Sequence, residues 1–456
     1  MKIIKRIPIA IYLSLTIFSY SQIICAQKKE PIEKMETNKD TILIEMEHVL
    51  DNLFKLWYPL SIDSVDGGYY SDINYKWELE GKQNKMIVTQ ARHVWSAANA
   101  AMFYKKFDYL PEVAKHGFEF LKKVMWDKKY GGFYNLVDRK GNVIKDGGDI
   151  VKNAYGNAFA IYGLAAYFKV SKDTSALKLA EETFKWLDKH SYDPQYGGYF
   201  QFLSRDGTPF RTGFGNIPPK DQNSSIHILE CFTELYNVWP DSRLKERLAS
   251  LLHIIRDKYV TAKGYLNLFF KRDLTPVTYN YSNPDELKNN YEIDHVSFGH
   301  DIETGYLMLE ASKALGIEND TATLKIAKKM VDHTIKNGWD EKVGGIFDGG
   351  YYFKGEDKIS IVRKTKEWWS QIEALNSCLL MSELYPNDKI NYYNKFCEQW
   401  DYIKKYLIDD TYGGFYWGGI DEVPNIKYAP KGTIWKGNYH TSRGLINCIR
   451  RIKKED

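Results

Sequence analysis

The chain has few cysteines, and they form no pattern that binds metal. Five occur in 456 residues, none in a Cys-x-x-Cys pair, so a zinc knuckle is unsupported. No His-Glu-x-x-His segment is present either, which leaves zinc-hydrolase chemistry without its usual motif. Cys231, Cys378 and Cys448 lie in apolar runs with helical spacing, where buried free thiols are expected. Cys397 completes the set beyond the amino terminus, and spacing alone assigns no disulfide among the four.

The chain also lacks a strong net charge and, beyond its amino terminus, a long hydrophobic run. The formal net charge is +4, and Lys2, Lys5 and Arg6 contribute three of those charges before the first acidic residue, Glu30. The rest of the chain carries about +1, which gives no electrostatic basis for a nucleic-acid partner. No low-complexity tract interrupts the globular composition, and no later stretch is apolar enough to cross a bilayer.

The amino terminus has the pattern of an export signal. Basic residues precede a largely apolar stretch over residues 7–24, which ends at Cys25-Ala26-Gln27. We predict a signal peptide over residues 1–26 and a linker over residues 27–40. The mature protein would be periplasmic or secreted and would not contact the membrane. A lipoprotein anchored at Cys25 and an uncleaved membrane anchor are the alternatives, although polar residues interrupt the apolar stretch.

A Gly-Gly-aromatic turn that follows an amphipathic helix recurs six times, once with a single glycine. The steps between successive turns are 64, 66, 67, 80 and 69 residues, counted at Gly67, Gly131, Gly197, Gly264, Gly344 and Gly413. A near-constant period over the whole chain predicts a repeat architecture. Each unit contains an amphipathic helix, the glycine turn with a short extended piece, and a second, more apolar helix rich in small residues.

Six units of two helices give twelve helices, which we expect to close into a ring. Closure leaves no exposed terminal repeat and puts the apolar helices inside, so we predict an all-α fold, an (α/α)6 barrel over residues 41–456. A linear helical solenoid is the alternative. The extra length in the fourth step lies around residues 278–292 and indicates a surface loop. The second helices are predicted over residues 90–107, 153–170, 223–238, 299–315, 366–384 and 439–452.

Polar and aromatic side chains recur at the starts of the six second helices. Because these starts share one end of the barrel, the side chains should converge on one cavity and satisfy one another there. Pairs such as His300 with Glu303 are three or four residues apart and therefore share a helical face. The set comprises Arg92, Tyr155, Asn223, His227, His300, Asp301, Glu303, Trp368, Trp369, Glu373, His440 and Arg443.

The segment around His300 shows what chemistry these residues suit. Gly299 favours a turn before the helix, and Glu303 would orient the His300 ring and raise its basicity. A surface ion pair is the simpler interpretation of an isolated His-x-x-Glu. Two well-separated imidazoles suit removal of a proton from one face of a carbon and its return to the other face. Epimerisation of a sugar at C2 requires this, through a ring-opened cis-enediolate whose charge Arg92 would stabilise.

Almost the whole chain after the export signal resembles the N-acylglucosamine 2-epimerase superfamily of (α/α)6 barrels, particularly the cellobiose and mannobiose 2-epimerases. Within that superfamily, Gly-His-Asp-Ile-Glu and Trp-Trp-x-Gln-x-Glu are similar to the disaccharide epimerases. The resemblance implies a substrate that is a β-1,4-linked disaccharide with a reducing glucose or mannose, and no metal or nicotinamide cofactor. It rests on Arg92-His-Val-Trp, Asn223-x-x-x-His227, Ser-Phe-Gly-His300-Asp301-Ile-Glu303, Lys-Glu-Trp368-Trp369-x-Gln-x-Glu373 and Trp435-x-x-x-x-His440-x-x-Arg443.

The resemblance also implies a role for each residue. His300 and His440 would be the acid/base pair at C2, and Arg92 would stabilise the intermediate. His227 would assist ring opening, while Glu303 and Glu373 would support the histidines. The remaining residues would contact the substrate: Trp369 and Trp435 by bracketing the sugar rings, and Tyr155, Asn223, Asp301, Trp368 and Arg443 by lining the site.

Several other functions fit the same residues. Barrels of this kind also host inverting glycosidases, which use two carboxylates, and Asp301, Glu303 and Glu373 could supply them. A non-catalytic sugar-binding protein, an N-acylglucosamine 2-epimerase and an aldose–ketose isomerase are further alternatives. Many members of the disaccharide-epimerase branch are cytoplasmic, whereas the export signal predicts the opposite here. We expect a monomer or a weak homodimer.

Overall fold

The computed structural model describes residues 39–455. The predicted signal peptide and most of the predicted linker lie outside these residues. The first helix begins at Lys39, just ahead of the predicted start of the barrel. Within the described residues, no helix is both long and apolar enough to span a membrane.

Twelve long helices alternate along the described chain between an outer and an inner layer. The outer helices are amphipathic, whereas the inner helices are buried along most of their first three turns. The outer helices are α1 (Lys39–Trp57), α3 (Leu110–Phe120), α5 (Thr174–His190), α7 (Ser242–Ile254), α9 (Thr321–Gly338) and α11 (Tyr392–Tyr406). The inner helices are α2 (Ile87–Phe103), α4 (Ala154–Ser171), α6 (Gln222–Tyr236), α8 (Phe298–Ala314), α10 (Trp368–Leu384) and α12 (Tyr439–Lys453).

The inner helices form a closed ring. Each packs against the next inner helix in chain order, and α12 packs against α2. Each outer helix packs on the inner helix that precedes it, and α1 follows the same rule because it packs on α12. Small residues permit the close approach: a Cβ at Gly163 of α4 would lie 2.7 Å from the carbonyl oxygen of Ala91 in α2. The predicted (α/α)6 barrel is confirmed, and the linear solenoid is wrong.

Short antiparallel strands connect consecutive repeats at the end of the barrel where the inner helices begin. A strand precedes α2, α4, α6 and α8, and pairs with a strand that follows the next glycine turn. The pairs are β1 (Lys85–Met86) with β2 (Leu136–Val137), β3 (Val151–Asn153) with β4 (Phe202–Ser204), and β5 (Lys220–Asp221) with β6 (Phe269–Phe270). The fourth sheet has three strands, β7 (Val296–Ser297), β8 (Gly349–Tyr351) and β9 (Ser360–Arg363).

A buried lysine holds the glycine turn in five of the six described repeats. In the third repeat, Nζ of Lys220 lies 3.0 Å from Oδ2 of Asp193 and 2.7 Å from the carbonyl oxygen of Gly197. Neither charged side chain is exposed. The ammonium thereby fixes the turn to the strand that leads into α6. The same pair recurs as Lys85–Asp63, Lys152–Asp127, Lys366–Asp340 and Lys431–Asp409.

A side chain of the inner helix binds the same turn from the other side. In the first repeat, Oε1 of Gln90 accepts the backbone N–H of Tyr69 at 2.8 Å. Gly68 has a φ of +68°, and a Cβ there would lie 2.5 Å from that Gln90 oxygen, so the turn requires glycine. Equivalent bonds join Asn157 to Phe133, Asp301 to Leu266 and Gln371 to Ile346.

The fourth repeat departs from this pattern. Thr261 stands where the other turns have aspartate, and Val296 stands where their strands have lysine. The loop predicted around residues 278–292 follows this turn and contains a helical turn at Pro284–Leu287 and a 3-10 turn at Lys288–Asn290. Elsewhere, the three cysteines expected to be buried thiols are free and buried, and Cys397 is free and partly buried.

The repeated ion pair predicts an asymmetric response to mutation. Lys220→Met should lower the unfolding free energy by about 3–5 kcal/mol, because it leaves the Asp193 carboxylate buried with one cation fewer. The double substitution Lys220→Val with Asp193→Thr copies the fourth repeat and should recover most of that loss, since no buried charge remains. Urea unfolding followed by circular dichroism measures both. Equal destabilisation of the single and double variants would contradict the interpretation.

Candidate active site

The first turns of the six inner helices bring the predicted residues together at one end of the barrel. Each inner helix starts from a turn held as described above, so the starts lie at one level. Nine of the thirteen predicted residues belong to one contact network of hydrogen bonds and packed rings. They are Arg92 from α2, Tyr155 from α4, His227 from α6, His300 and Glu303 from α8, Trp369 and Glu373 from α10, and His440 and Arg443 from α12.

Arg443 lies at the centre of this network and binds three buried carboxylates. Its Nη1 donates to Glu230, and its Nη2 donates to Glu303 and, at 2.6 Å, to Glu373. The Arg443 side chain is 2% exposed. The carboxylates occupy both terminal nitrogens of Arg443, whereas its Nε is buried without a hydrogen-bond partner, and the contact of Arg443 with substrate stays a prediction. Its role is to neutralise acids that burial would otherwise disfavour.

Glu303 binds Arg443 and not His300, which corrects the predicted His300–Glu303 pair. Residues three apart share a helical face, yet the Glu303 carboxylate turns towards the barrel axis, where the guanidinium attracts it. Its second oxygen, Oε2, is buried without a hydrogen-bond partner. Burial and the charge of Glu373 raise the pKa of Glu303 to about 7.

Glu373 supports His440 as predicted from the sequence. Nδ1 of His440 lies 2.7 Å from Oε1 of Glu373, and the Tyr306 hydroxyl donates to the other oxygen at 2.9 Å. Burial raises the pKa of Glu373. Burial also lowers the pKa of His440 well below its usual value, and the charges of Arg92 and Arg443 lower it further. Nε2 of His440 forms no hydrogen bond with any described residue and is left for a ligand.

His300 and His440 both pack against the indole of Trp369. The ring centre of Trp369 is 4.7 Å from that of His300 and 5.7 Å from that of His440. Nδ1 of His300 lies 2.8 Å from the Ser297 hydroxyl. Burial lowers the pKa of His300 to about 3, with smaller contributions from His227 and other nearby cationic groups.

Gly299 lies inside the first turn of α8, within the helix predicted over residues 299–315. A Cβ at Gly299 would lie 2.4 Å from Oγ of Ser370 and 2.7 Å from the Trp369 ring. Glycine is required because α8 and α10 approach closely at this point, and that approach sets His300 against the indole.

His227 is oriented by Glu230, a residue that the sequence analysis missed. Nδ1 of His227 lies 2.8 Å from Oε2 of Glu230, whose Oε1 accepts from Arg443 and, at 2.5 Å, from the Tyr439 hydroxyl. Burial alone would raise the pKa of Glu230, but Arg443 and His227 bring it well below its usual range. The spacing of His227 and Glu230, three residues apart in an apolar helix, was the available signal.

Arg92 lies beside His227 and has an unused hydrogen-bond donor for a ligand. Its Nη2 donates to the Tyr155 hydroxyl at 2.8 Å, and its guanidinium packs on the rings of Phe159 and Tyr439, 4.2 and 4.7 Å from their centres. Its Nε is buried without a hydrogen-bond partner. A buried donor without a partner is costly, so it indicates a bound anion or oxygen.

Of the remaining predicted residues, Asn223 and Trp435 are available to a ligand, whereas Trp368 is packed behind the site. Asn223 keeps an amide oxygen that is buried without a partner and can accept from a substrate hydroxyl. Trp435 is 51% exposed, which suits an aromatic face offered to a ligand from solvent. Trp368 is 4% exposed and packs edge-on against Trp417, so it supports the site from behind.

Asp301 does not line the site, which corrects another prediction. Its Oδ1 accepts the backbone N–H of Leu266 at 2.8 Å, in the turn-binding position that Gln90 and Gln371 occupy in other repeats. Burial raises its pKa well above the usual value. The helical position after His300 faces the outer helix, and Asp301 therefore holds the glycine turn.

His93 also lies outside the site. Its Nδ1 lies 3.0 Å from the Tyr58 hydroxyl, and its ring packs between Trp57 and Tyr69. Burial lowers its pKa to about 3. His93, next to Arg92 in sequence, therefore faces a different direction from Arg92.

One group of site residues has the donor types for a metal ion. Ligand atoms of Glu303, Glu373 and His440 lie within 4.8 Å of one another. Arg443 binds both of these carboxylates, so its guanidinium already supplies the positive charge at that position. The donor set therefore fits an internal ion pair better than a metal site.

The raised pKa of Glu303 predicts a pH-dependent stability. Between about pH 4.5 and 7 the folded protein binds more protons at Glu303 than the unfolded chain, so stability falls as pH rises through this window. Glu303→Gln should match wild type at pH 5 and become more stable than wild type by pH 8, as thermal melts would show. Glu341→Gln, at a side chain that is 78% exposed, is the control. Parallel curves for wild type and Glu303→Gln would contradict the assignment.

Comparison with known proteins agrees with this geometry. The sequence model of the family described as N-acylglucosamine 2-epimerase (GlcNAc 2-epimerase) matches residues 68–442. Cellobiose 2-epimerases of Dictyoglomus turgidum and Ruminococcus albus are 28% and 29% identical to the chain, each covering 89% of it and 97% of the relative. The structure of cellobiose 2-epimerase from Bacillus thermoamylovorans B4167 matches with a TM-score of 0.78 and 26% identity, over 90% of this chain and 100% of that one. The chain belongs to the N-acylglucosamine 2-epimerase family.

Proposed function

We propose that this protein is a sugar 2-epimerase that interconverts the reducing-end glucose and mannose of a β-1,4-linked disaccharide. One observation carries the proposal. His300 and His440 reach the same indole from helices two repeats apart, and each has a partner on Nδ1 and a free Nε2. Two imidazoles on separate supports can address the two faces of one carbon.

The first step is opening of the sugar ring. The O1 proton must leave and the ring oxygen must gain a proton, which yields the open-chain aldehyde. His227 is placed for this transfer because Glu230 holds its Nδ1 and leaves its Nε2 free, and Tyr155 packs edge-on against its ring at 5.3 Å. Asn223, at the start of the same helix, offers its unpartnered oxygen to a sugar hydroxyl.

The second step is proton exchange at C2. One imidazole removes the C2 proton, the C–H electron pair enters a cis-enediolate, and the other imidazole delivers a proton to the opposite face. The unpartnered Nε of Arg92 can donate to the enediolate oxygen on which negative charge develops. Burial lowers the pKa of both histidines, so whichever ring becomes an imidazolium is a strong proton donor.

Two features support a disaccharide as substrate. Trp435 is exposed five residues before His440, where it can stack on a sugar unit beyond the reacting one. The relatives named above are cellobiose 2-epimerases, and the match to this chain extends over nearly their whole length. The buried cluster around Arg443 leaves no pair of free carboxylates for an inverting glycosidase, because all three are engaged by the guanidinium.

Incubation with cellobiose in D2O tests the reaction. We expect intact glucosyl-mannose with deuterium at C2, detected by NMR, because C2 is reprotonated from solvent-exchanged histidines. Deuterium at C1 with a ketose product would indicate aldose–ketose isomerisation, and free monosaccharides would indicate hydrolysis. N-acetylglucosamine, mannobiose and lactose define the substrate range, and no change at C2 in any of them would refute the proposal.

Single-histidine variants test the two-base mechanism. His300→Asn and His440→Asn should each lower epimerisation by a factor of about 10²–10⁴. Each should still exchange the C2 proton of one epimer with D2O, because the remaining histidine can remove and return it on its own face. The exposed His48→Asn is the control. Two outcomes would contradict opposite-face action: neither variant exchanges the C2 proton of either epimer, or both variants exchange it for the same epimer.

We also infer that the protein is exported, on the basis of the basic and apolar pattern of residues 1–26. An exported epimerase would act on disaccharides before uptake. Cell fractionation of the full chain, compared with a chain starting at residue 27, tests this inference. Equal recovery of both forms inside the cell would contradict it.

A further inference from the structure

Three histidines of the site have different partners on Nδ1. His227 faces the Glu230 carboxylate and His440 faces the Glu373 carboxylate, at 2.8 and 2.7 Å. His300 faces a hydroxyl, that of Ser297, at 2.8 Å. A carboxylate can accept a hydrogen bond from Nδ1–H, stabilise an imidazolium by its charge, or take the proton itself. A hydroxyl can accept a hydrogen bond from Nδ1–H but cannot neutralise an imidazolium.

Ser297 is placed for this contact and not for capping its helix. Asn153 and Asp221 hold the position before α4 and α6, and each side chain accepts a backbone N–H of the first helical turn. Ser297 holds the same position before α8 and makes no such bond. Its side chain is buried, and its hydroxyl is directed to Nδ1 of His300.

Within residues 39–455, no acid compensates for the missing carboxylate at His300. The charged and titratable groups that act on it are His227 of α6, His295 beside β7, His440 of α12 and Arg92 of α2, and each disfavours a second positive charge. Glu303, on its own helix, binds Arg443 instead. The residue of α10 that packs against His300 is Trp369, whose indole is neutral. A neutral His300 is therefore the favoured form.

We propose that Ser297 is a positioning residue that accepts the Nδ1 proton of His300 and keeps this histidine the neutral base of the resting enzyme, while the His440–Glu373 pair holds the proton to be delivered. The inference rests on the proposed epimerase function. Glu373 can share a proton with His440 without changing the net charge of the pair, since O–H···Nδ1 with Nε2–H and carboxylate with imidazolium both sum to zero. Ser297 offers no such equivalence.

The proton and electron balance follows from this assignment. Nε2 of neutral His300 takes the C2 proton, and the C–H electron pair enters the enediolate. Nε2–H of His440 gives its proton to the opposite face, where the enediolate electrons form the new C–H bond. The proton shared with Glu373 stays on or moves to Nδ1 of His440, so His300 ends as an imidazolium, His440 ends neutral and Glu373 ends as a carboxylate. Loss of a proton from His300 to solvent and uptake of one by the His440–Glu373 pair restore the resting state. The reverse direction must start from the less favoured arrangement.

Substitutions at residue 297 separate orientation from charge. Ser297→Asn keeps a neutral hydrogen-bond acceptor at His300. Ser297→Asp places there a carboxylate of the same size as the Asn amide. An opposite charge this close raises a pKa by about one to three units. Because a base must be neutral, the acid limb of kcat/KM should move to higher pH by that amount in Ser297→Asp. The shift should occur in the direction that His300 initiates, and Ser297→Asn should not show it.

Ser297→Ala removes the acceptor. It should lower kcat about five- to tenfold, the worth of one hydrogen bond, with KM within about twofold. Ser297→Thr, which restores the hydroxyl, should recover kcat. A purely structural role for Ser297 would instead lower the melting temperature and leave the pH profile unchanged. Identical profiles for the Asp and Asn variants, or wild-type kcat in Ser297→Ala, would overturn the proposal.

A readout that does not need turnover distinguishes this inference from the proposed function. Long-range 1H–15N NMR of 15N-histidine protein, with His300→Asn for assignment, reports which ring nitrogen carries the proton. We expect the Nδ1–H form of His300 in wild type and protonation at higher pH in Ser297→Asp. An Nε2–H form in wild type would overturn the inference even if the enzyme epimerises cellobiose. Absence of epimerisation with an Nδ1–H His300 would refute the function alone.

Discussion

The site depends on one buried guanidinium that three carboxylates share. Arg443 comes from the last helix and binds Glu230 of α6, Glu303 of α8 and Glu373 of α10. Two of these acids hold the imidazoles of His227 and His440, so the position of Arg443 fixes the orientation of both rings. Without a central cation, three buried negative charges would repel one another and each would bear its full desolvation cost. The same contacts of Arg443 thus balance the buried charge at the barrel axis and orient the histidines there.

The repeats contribute to the site by fixing where each inner helix starts. A lysine between strand and turn, and an amide or acid from the inner helix, bind the glycine turn from two sides. The starts of the helices are then set by buried, saturated contacts on the outside of the ring, and the residues facing the axis are free to differ among repeats. That division explains how six similar units supply an arginine, three histidines and an indole to one end of the barrel. The fourth repeat, with Thr261 and Val296, relies on Asp301 for the same purpose.

Much of the fold could be predicted from the sequence because its signals are local and repeated. The six glycine turns and the apolar helices between them determine the barrel, and the inner-helix boundaries differ from the predicted ones by only a few residues. The partners of buried charges could not be predicted in the same way. Spacing placed Glu303 beside His300, but the stronger attraction is to Arg443, 140 residues away in sequence. Asp301 was assigned to substrate by resemblance, whereas its turn-binding role requires knowing which face of α8 meets the outer layer. Glu230 was missed although His227 lies three residues before it, because its other partners, Tyr439 and Arg443, are more than 200 residues away in sequence.

The closed ring has a consequence for how the protein is made. Helix α1 packs on α12, and α12 carries both His440 and Arg443. A growing chain therefore has no complete barrel wall, and lacks the Arg443 counter-ion of its buried acids, until α12 has left the ribosome. Every earlier intermediate exposes the apolar inner helices along an unclosed seam. Synthesis through α12 is a precondition for closing the ring, and a chain that stops before this helix would be a substrate for chaperones and proteases.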